Sequence, residues 1–421
     1  MSLYRLAFPG VITFIAFLAY GPQLLFRSLE PHALELRQWV IFNSLVICIW
    51  ITYGRACFTN PGSVPSEWAL GTNVSSDPEV RRNKHRWCRR CEAFKPRRAH
   101  HCKICQRCIP KMDHHCPWTI NCVSHRTFPH YFRFLFYSVA SMAYLQYFIY
   151  IRAAIFWTGR NLPSYLGPTP TQIIFLFVFL IVNSITLFAL GILLARNIWC
   201  LGGNVTTIEG WEIERHETLV YRARKQGGYL NGPGGARIRI RKQEFPYDIG
   251  VFQNIRQGMG GTPLLWLWPF AATPLNESGL DFKTNEFEDP SLSWPPPDPD
   301  RMSRPKGQNS YVHPFTHEED STPNQERLNA FRRRQEDDLR RFDHGSSATT
   351  VRRRFQKDNN ANDDIHDDQS AIGQEGWRDS EGDRLDDFGV DEDTEFHDEN
   401  DLPLAELLRR RQAKMRPKSQ R

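Results

Sequence analysis

Cys88-Arg-Arg-Cys91, then Ala99-His100-His101-Cys102-Lys-Ile-Cys105-Gln-Arg-Cys108, then Asp113-His114-His115-Cys116-Pro117-Trp118 and Cys122 together hold seven of the chain's ten cysteines. A closed structural zinc site takes four thiolate or imidazole ligands, so two sites take eight. Four histidines share the stretch, which makes eleven donors and leaves three over. The two C-x2-C pairs, Cys88/Cys91 and Cys102/Cys105, can each clamp half a zinc shell from a tight turn. An interleaved order completes them: Cys88, Cys91, His101 and Cys108 on one ion, Cys102, Cys105, His115 and Cys122 on the other. A disulfide framework fits badly, because seven is odd and histidines have no role in one.

His100, His114 and Cys116 are left unspent. Asp113, His114 and Cys116 put a carboxylate, an imidazole and a thiol within four positions. A neighbouring imidazole lowers a thiol's pKa and makes it a nucleophile. A carboxylate can hold that imidazole in one tautomer and stabilise its charged form. The competing assignment makes Cys116 a spare ligand that exchanges with Cys122, although both shells are complete without it.

Overall composition hides two unlike halves, with 41% apolar residues and a mean hydropathy of −0.49. Four apolar runs, roughly Leu6–Phe26, Trp39–Phe58, Phe128–Trp157 and Thr171–Ala195, are each long enough to cross a bilayer. Their lack of amphipathic period argues against helices of a soluble core. The first run reads as a retained helix, since no A-x-A site follows it. Arg133 and Arg152 lie near the ends of the third run, where a long side chain can snorkel to the interface. Asn183 and Thr186 in the fourth read as bridges between helices.

Residues Arg81–Lys111 carry twelve Lys/Arg and one acidic residue, whereas the two short connectors hold three Arg and two Glu together. The positive-inside rule therefore puts the zinc module and both termini in the cytosol. That compartment keeps thiols reduced. Asn73, Asn204 and Asn276 head Asn-x-Ser/Thr triplets that would stay unglycosylated there. A basic zinc module invites a nucleic-acid reading, but spans on both sides hold it against the bilayer. Nucleic acid is therefore not an expected partner; anionic headgroups or a phosphate-bearing ligand are. His125 and His130 read as interfacial side chains.

Asp113-His114-His115-Cys116 within this cysteine-rich segment, with two spans before it and two after, resembles the DHHC-type protein S-acyltransferases. Asn60-Pro61-Gly62 is similar to that family's D-P-G motif, and Thr206-Thr207-Ile208-Glu209 to its T-T-x-E motif. Phe245-Pro-Tyr247-Asp-Ile-Gly250 with Asn254 is similar to a C-terminal element that packs under the catalytic module. Ser124 stands where a glycine is often found. Asn60-Pro-Gly, Leu265-Trp-Leu-Trp-Pro269, Trp294-Pro-Pro and Leu385-Asp-Asp-Phe-Gly-Val-Asp391 resemble a fungal subgroup of the endoplasmic reticulum that acts on polytopic membrane proteins.

The resemblance implies an α-helical polytopic membrane protein with two structural Zn2+ and acyl-CoA (palmitoyl-CoA) as co-substrate. It implies Cys116 as acyl-accepting nucleophile, His114 as base and Asp113 as orienting carboxylate. Thr207 would hydrogen-bond the Asp113–His114 pair, with Thr206, Glu209 and Asn254 in support; the plainer reading has Thr206 and Glu209 cap a helix. Expected partners are the bilayer and membrane proteins with cytosolic cysteines close to it. The expected divisions are 1–58 for two spans, 59–127 for the zinc module, 128–195 for two more spans, 196–275 for a C-terminal domain, and 276–421 for a largely disordered tail. That tail is poor in apolar residues, with short helices expected near Glu326–Phe342 and Ala405–Arg416. Leu385–Asp391 reads as a docking motif or as part of a solvated tether. The alternative to an enzyme is a non-catalytic zinc-stapled membrane adaptor.

Overall fold

Inside a bilayer an apolar run can satisfy its backbone only by itself, and so it folds as a helix. The computed structural model describes residues 2–65, 68, 86–161, 163, 167–232, 237–285, 294–296, 298–301 and 377–391. Its long helices are α1 (Ser2–Phe26), α2 (Leu36–Phe58), α3 (Phe128–Thr158) and α4 (Pro170–Gly203). All four are long and apolar enough to span a membrane, and the chain is an integral membrane protein. Helix α3 lies between α2 and α4, and α1 leans on α4. Phe26, Phe42, Leu145, Ile149 and Phe179 lock the four together far from the zinc module.

Helix α4 outlasts its apolar run. It starts at a capping box made by Thr169 and Gln172, with Pro170 in its first turn. It continues past Ala195 to Gly203, where Asn204 takes the left-handed conformation (φ 53°) that ends it. The two arginines of α3 do not snorkel. Arg133 is fully buried and donates to the carbonyls of Trp266 and Leu265, while Arg152 donates to the His32 carbonyl and stacks on Phe26. Each finds carbonyls of a neighbouring loop, so neither has to reach water. Asn183 bridges to Met142 and Gln146 of α3, whereas Thr186 bonds only its own helix at Val182.

Between α2 and α3 come three antiparallel hairpins. Strand β1 (Arg86–Cys88) pairs with β2 (Ala93–Lys95), β3 (His100–Cys102) with β4 (Arg107–Ile109), and β5 (His114–Cys116) with β6 (Asn121–Val123). After α4 follow α5 (Thr207–Lys225), the hairpin of β7 (Tyr229–Asn231) and β8 (Arg237–Arg239), and the short helix α6 (Val251–Met259).

Most of the stretch 276–421, both helices expected in it included, lies outside the described residues. What is described there is folded. Trp294 sits edge-on to Phe245 and His216, and Asp298 and Asp300 bind Arg215 of α5. Residues 377–391 cover the zinc module: Leu385, Phe388 and Val390 are buried among Cys102, Ile109, Met112 and Ile208. These segments have no core of their own; they bring a few apolar side chains to one already formed.

Candidate active site and metal centres

The sulfurs and imidazoles of Cys88, Cys91, His101 and Cys108 form one cluster, and those of Cys102, Cys105, His115 and Cys122 another. In the first, His101 Nδ1 lies 3.4, 3.3 and 3.8 Å from the three sulfurs; in the second, His115 Nδ1 lies 3.6, 3.5 and 3.5 Å away. A tetrahedral zinc with ordinary Zn–S and Zn–N bonds sets that separation at about 3.6 Å. Both clusters thus fit structural zinc, each with a closed shell. Three-residue strands bury too little to fold alone, so the metal supplies the missing stability.

The hairpins are repeats. Their first strands begin at Arg86, His100 and His114, a step of 14 residues, and end at Cys88, Cys102 and Cys116. Each turns through a left-handed residue four positions on, namely Glu92, Gln106 and Ile120 (φ 49°, 55° and 50°). The first two hairpins carry a second cysteine at Cys91 and Cys105, where the third has Thr119. Ligands corresponding to His101/His115 and Cys108/Cys122 would fall at Pro129 and Phe136, which bind no metal. Cys116 therefore occupies the position of a ligand in a hairpin that, among the described residues, forms no metal cluster. This 14-residue period is legible in the sequence and escapes a count of donors alone.

His114 Nδ1 lies 2.7 Å from Asp113 Oδ2, and the imidazole and the Cys116 thiol are near enough for each to shift the other's pKa. Thr207 fixes Asp113 from the first turn of α5: its N–H donates to Oδ1 at 2.7 Å and its hydroxyl to Oδ2 at 2.9 Å. A helix N-terminus is well placed to hold a carboxylate. Burial disfavours every charge here, yet the hydrogen bonds to Asp113 and Cys116 raise His114 to about 10. Burial likewise pushes the Cys116 thiol up, but the His114 hydrogen bond and charge outweigh it and bring it below its ordinary value, with help from Thr119. The Asp113 carboxyl is also held low, by His114 and Thr207 against burial. The row favours a thiolate beside an imidazolium.

Thr206 and Glu209 form the capping box of α5, and Glu209 has a second task. Its carboxylate takes a bidentate pair from Arg98, at 2.5 and 2.7 Å, with both side chains buried. Arg98 also donates to the Asn204 carbonyl and side chain, and Lys111 to Asn204 Oδ1. Burial and Arg98 bring Lys111 down to about 7, against the pull of Glu209 and Asp113. Asn254 is not at the site: fully buried, it joins the Gly202 carbonyl to Asp248 and the Ile249 N–H.

Three residues to which the sequence assigned no part in the site prove central. Arg98 and Asn204 connect the module to α5, and Asn204 also donates to the Tyr247 carbonyl and Gln257. Asn121 donates to the carbonyls of Ala56, Cys57 and Thr59 at the end of α2. The sequence marks only Asn204, which heads an Asn-x-Thr triplet two residues before the T-T-x-E motif. His125 and His130 are buried, bonded to Ser278 and Thr273, and not interfacial as expected. The loop after α6 folds back over them and excludes solvent. Ser124 is put to use as well, donating to the Pro61 carbonyl at 2.8 Å.

An apolar cavity of about 900 Å3 runs among the four long helices and ends at Cys116. Phe14, Phe42, Leu145 and Leu190 line its depth; Trp118 and Tyr131 stand at the Cys116 end. Of the small residues of α3, Ser138 and Ser141 face it. Its volume matches that of sites for large organic ligands.

A family model described as DHHC palmitoyltransferase matches residues 81–214. Palmitoyltransferase pfa4 of Emericella nidulans is 51% identical, covering 97% of this chain and 97% of its own. Palmitoyltransferase pfa4 of Aspergillus fumigatus is 51% identical over 97% and 98%, and palmitoyltransferase PFA4 of Gibberella zeae is 41% identical over 96% and 95%. With its hairpins, its Asp113-His114-Cys116 row and its four spans, this chain belongs to the DHHC palmitoyltransferase family and is a protein S-palmitoyltransferase.

Proposed function

We propose that Cys116 carries the acyl group between palmitoyl-CoA and the cysteines of membrane proteins. The observation behind this reading is that the thiol, outside both metal shells, closes one end of a cavity that suits an acyl chain and neighbours His114, whose other contact is Asp113. The fatty tail lies among α1–α4, and the CoA phosphates meet the basic face of the module.

His114 holds the Cys116 proton, and the thiolate attacks the thioester carbonyl. The C–S bond to CoA breaks, and CoA leaves as a thiol with the proton from His114. A substrate cysteine then gives its proton to His114 and attacks the acyl–Cys116 thioester, releasing Cys116 as thiolate. Asp113, held by Thr207, keeps His114 in the tautomer this relay uses. Zinc held by Cys88, Cys91, His101 and Cys108 and by Cys102, Cys105, His115 and Cys122 would serve as scaffold. The basic module faces the cytosol, as do both termini, and the resident membrane is the endoplasmic reticulum.

Purified protein incubated with labelled palmitoyl-CoA should acquire a hydroxylamine-sensitive label. Cys116→Ser should lose the label and keep its zinc. A label retained by the variant, or zinc lost from it, would remove Cys116 from the acyl-carrying role. The adaptor reading predicts no label on either protein.

A further inference from the structure

Neither β3 nor β5 has a second strand beside it in its own sheet: each is half of a two-stranded hairpin. The outward edges of both are nevertheless satisfied, and the partner is a segment more than 250 residues further along the chain. The Phe388 carbonyl accepts the His115 N–H, the Gly389 carbonyl accepts the Lys103 N–H, and the Asp391 N–H donates to the His101 carbonyl, all at 2.9 Å. Val390 forms an antiparallel bridge with Cys102. A turn over residues 385–389, followed by the bridge at Val390, thus stitches the two zinc hairpins together, touching a ligand of each cluster. Unpaired strand edges are ready templates for such pairing.

The side chains fit the groove. Leu385 and Val390 are buried, Trp377 meets Trp211 of α5 edge-on at 5.0 Å, and Lys103 pairs with Asp386 at 2.5 Å. Gly389 is at φ 81°, and a Cβ there would lie 2.8 Å from the His115 Cβ, so only glycine allows this approach. None of these residues lines the cavity that ends at Cys116. The segment therefore supports the site without plugging it.

We propose that residues 377–391 are a positioning segment of the transferase: a turn and bridge, shared by the two zinc hairpins, that holds β5 and with it His114 and Cys116 in register for acyl transfer. This rests on Cys116 as the acyl carrier. Because the segment stays clear of the cavity, it governs turnover and leaves acyl-CoA binding alone.

The test uses the full chain carrying Phe388→Ser and Val390→Ser. Self-acylation should fall about tenfold to a hundredfold, as a misplacement of an ångström or so would produce, with KM for palmitoyl-CoA unchanged and zinc retained. Amide exchange should quicken at Lys103 and His115. A synthetic peptide of residues 377–391 added in trans should restore both rate and protection, and Phe388→Leu should behave as wild type. If the double variant does not accumulate, Gly389→Ala applies the same test through the clash at His115. Unchanged or increased turnover, a raised KM alone, or inhibition by the peptide would overturn the proposal. A failure of Cys116 as carrier would be distinct: label would persist on Cys116→Ser while the exchange behaviour of the segment stayed the same.

Discussion

Cys116 and Thr119 stand in the third hairpin where Cys102 and Cys105 stand in the second. The threonine hydroxyl points at the cysteine it follows, within 3.4 Å of the Cys116 carbonyl, and also supports the thiol. The same backbone bend that serves the metal-binding turns, here at Ile120, holds one unligated sulfur.

Thr119→Cys should rebuild the C-x2-C spacing with no further ligands to close a shell. The pair then has an oxidised form open to it. Self-acylation should drop under oxidising conditions and return with dithiothreitol, whereas wild type should respond to neither; intact mass and label incorporation read both.

Thr207→Val keeps the N–H bond to Asp113 and removes the hydroxyl bond. Loss of one hydrogen bond to a charged group costs about 1.5 kcal/mol or more, so self-acylation should slow by about tenfold. Zinc content should not change. A variant as fast as wild type would mean the backbone bond alone orients Asp113.

Arg98→Met leaves the Glu209 carboxylate buried without its partner, a change worth about 3–5 kcal/mol. The wild-type carboxyl is held low by Arg98 against burial. Its contribution is therefore fully present above the ordinary glutamate range near 4.3 and is lost as pH falls through the depressed folded value. Melting in detergent should show wild type losing stability in that acid window. Glu209→Gln should start lower at neutral pH and show a shallower acid loss.

Chelation of zinc should abolish self-acylation while sparing most of the helical circular-dichroism signal, because the core of α1–α4 contains no metal ligand. Readdition of zinc should restore the label. Cys108→Ala should lose metal where Cys116→Ser does not.

How much of this was legible beforehand varies with the physics. Spans and zinc clusters follow from local rules, a length of apolar chain and a spacing of donors, so the ligand pairs could be written down from sequence. The closeness of Thr207 to Asp113 came through resemblance, since 94 residues separate them and no periodic signal links the two. Arg98 looked like one basic residue among twelve; its burial against Glu209 depends on tertiary contacts that charge counting does not register. The docking of Leu385–Val390 was open between two readings because three apolar residues in an acidic stretch predict no partner until the groove exists. The span of α4 was underread for a related reason: residues 196–203 are held helical by α6 and by the cap at Asn204, and not by their hydropathy.

Asn121 grips three carbonyls at the end of α2, and Tyr53 of that helix donates to the Trp118 carbonyl at 2.9 Å. The Cys116 sulfur is thereby moored at a set height above the span. Any tilt or sinking of α2 to match the thickness of its surroundings would carry that sulfur up or down with it.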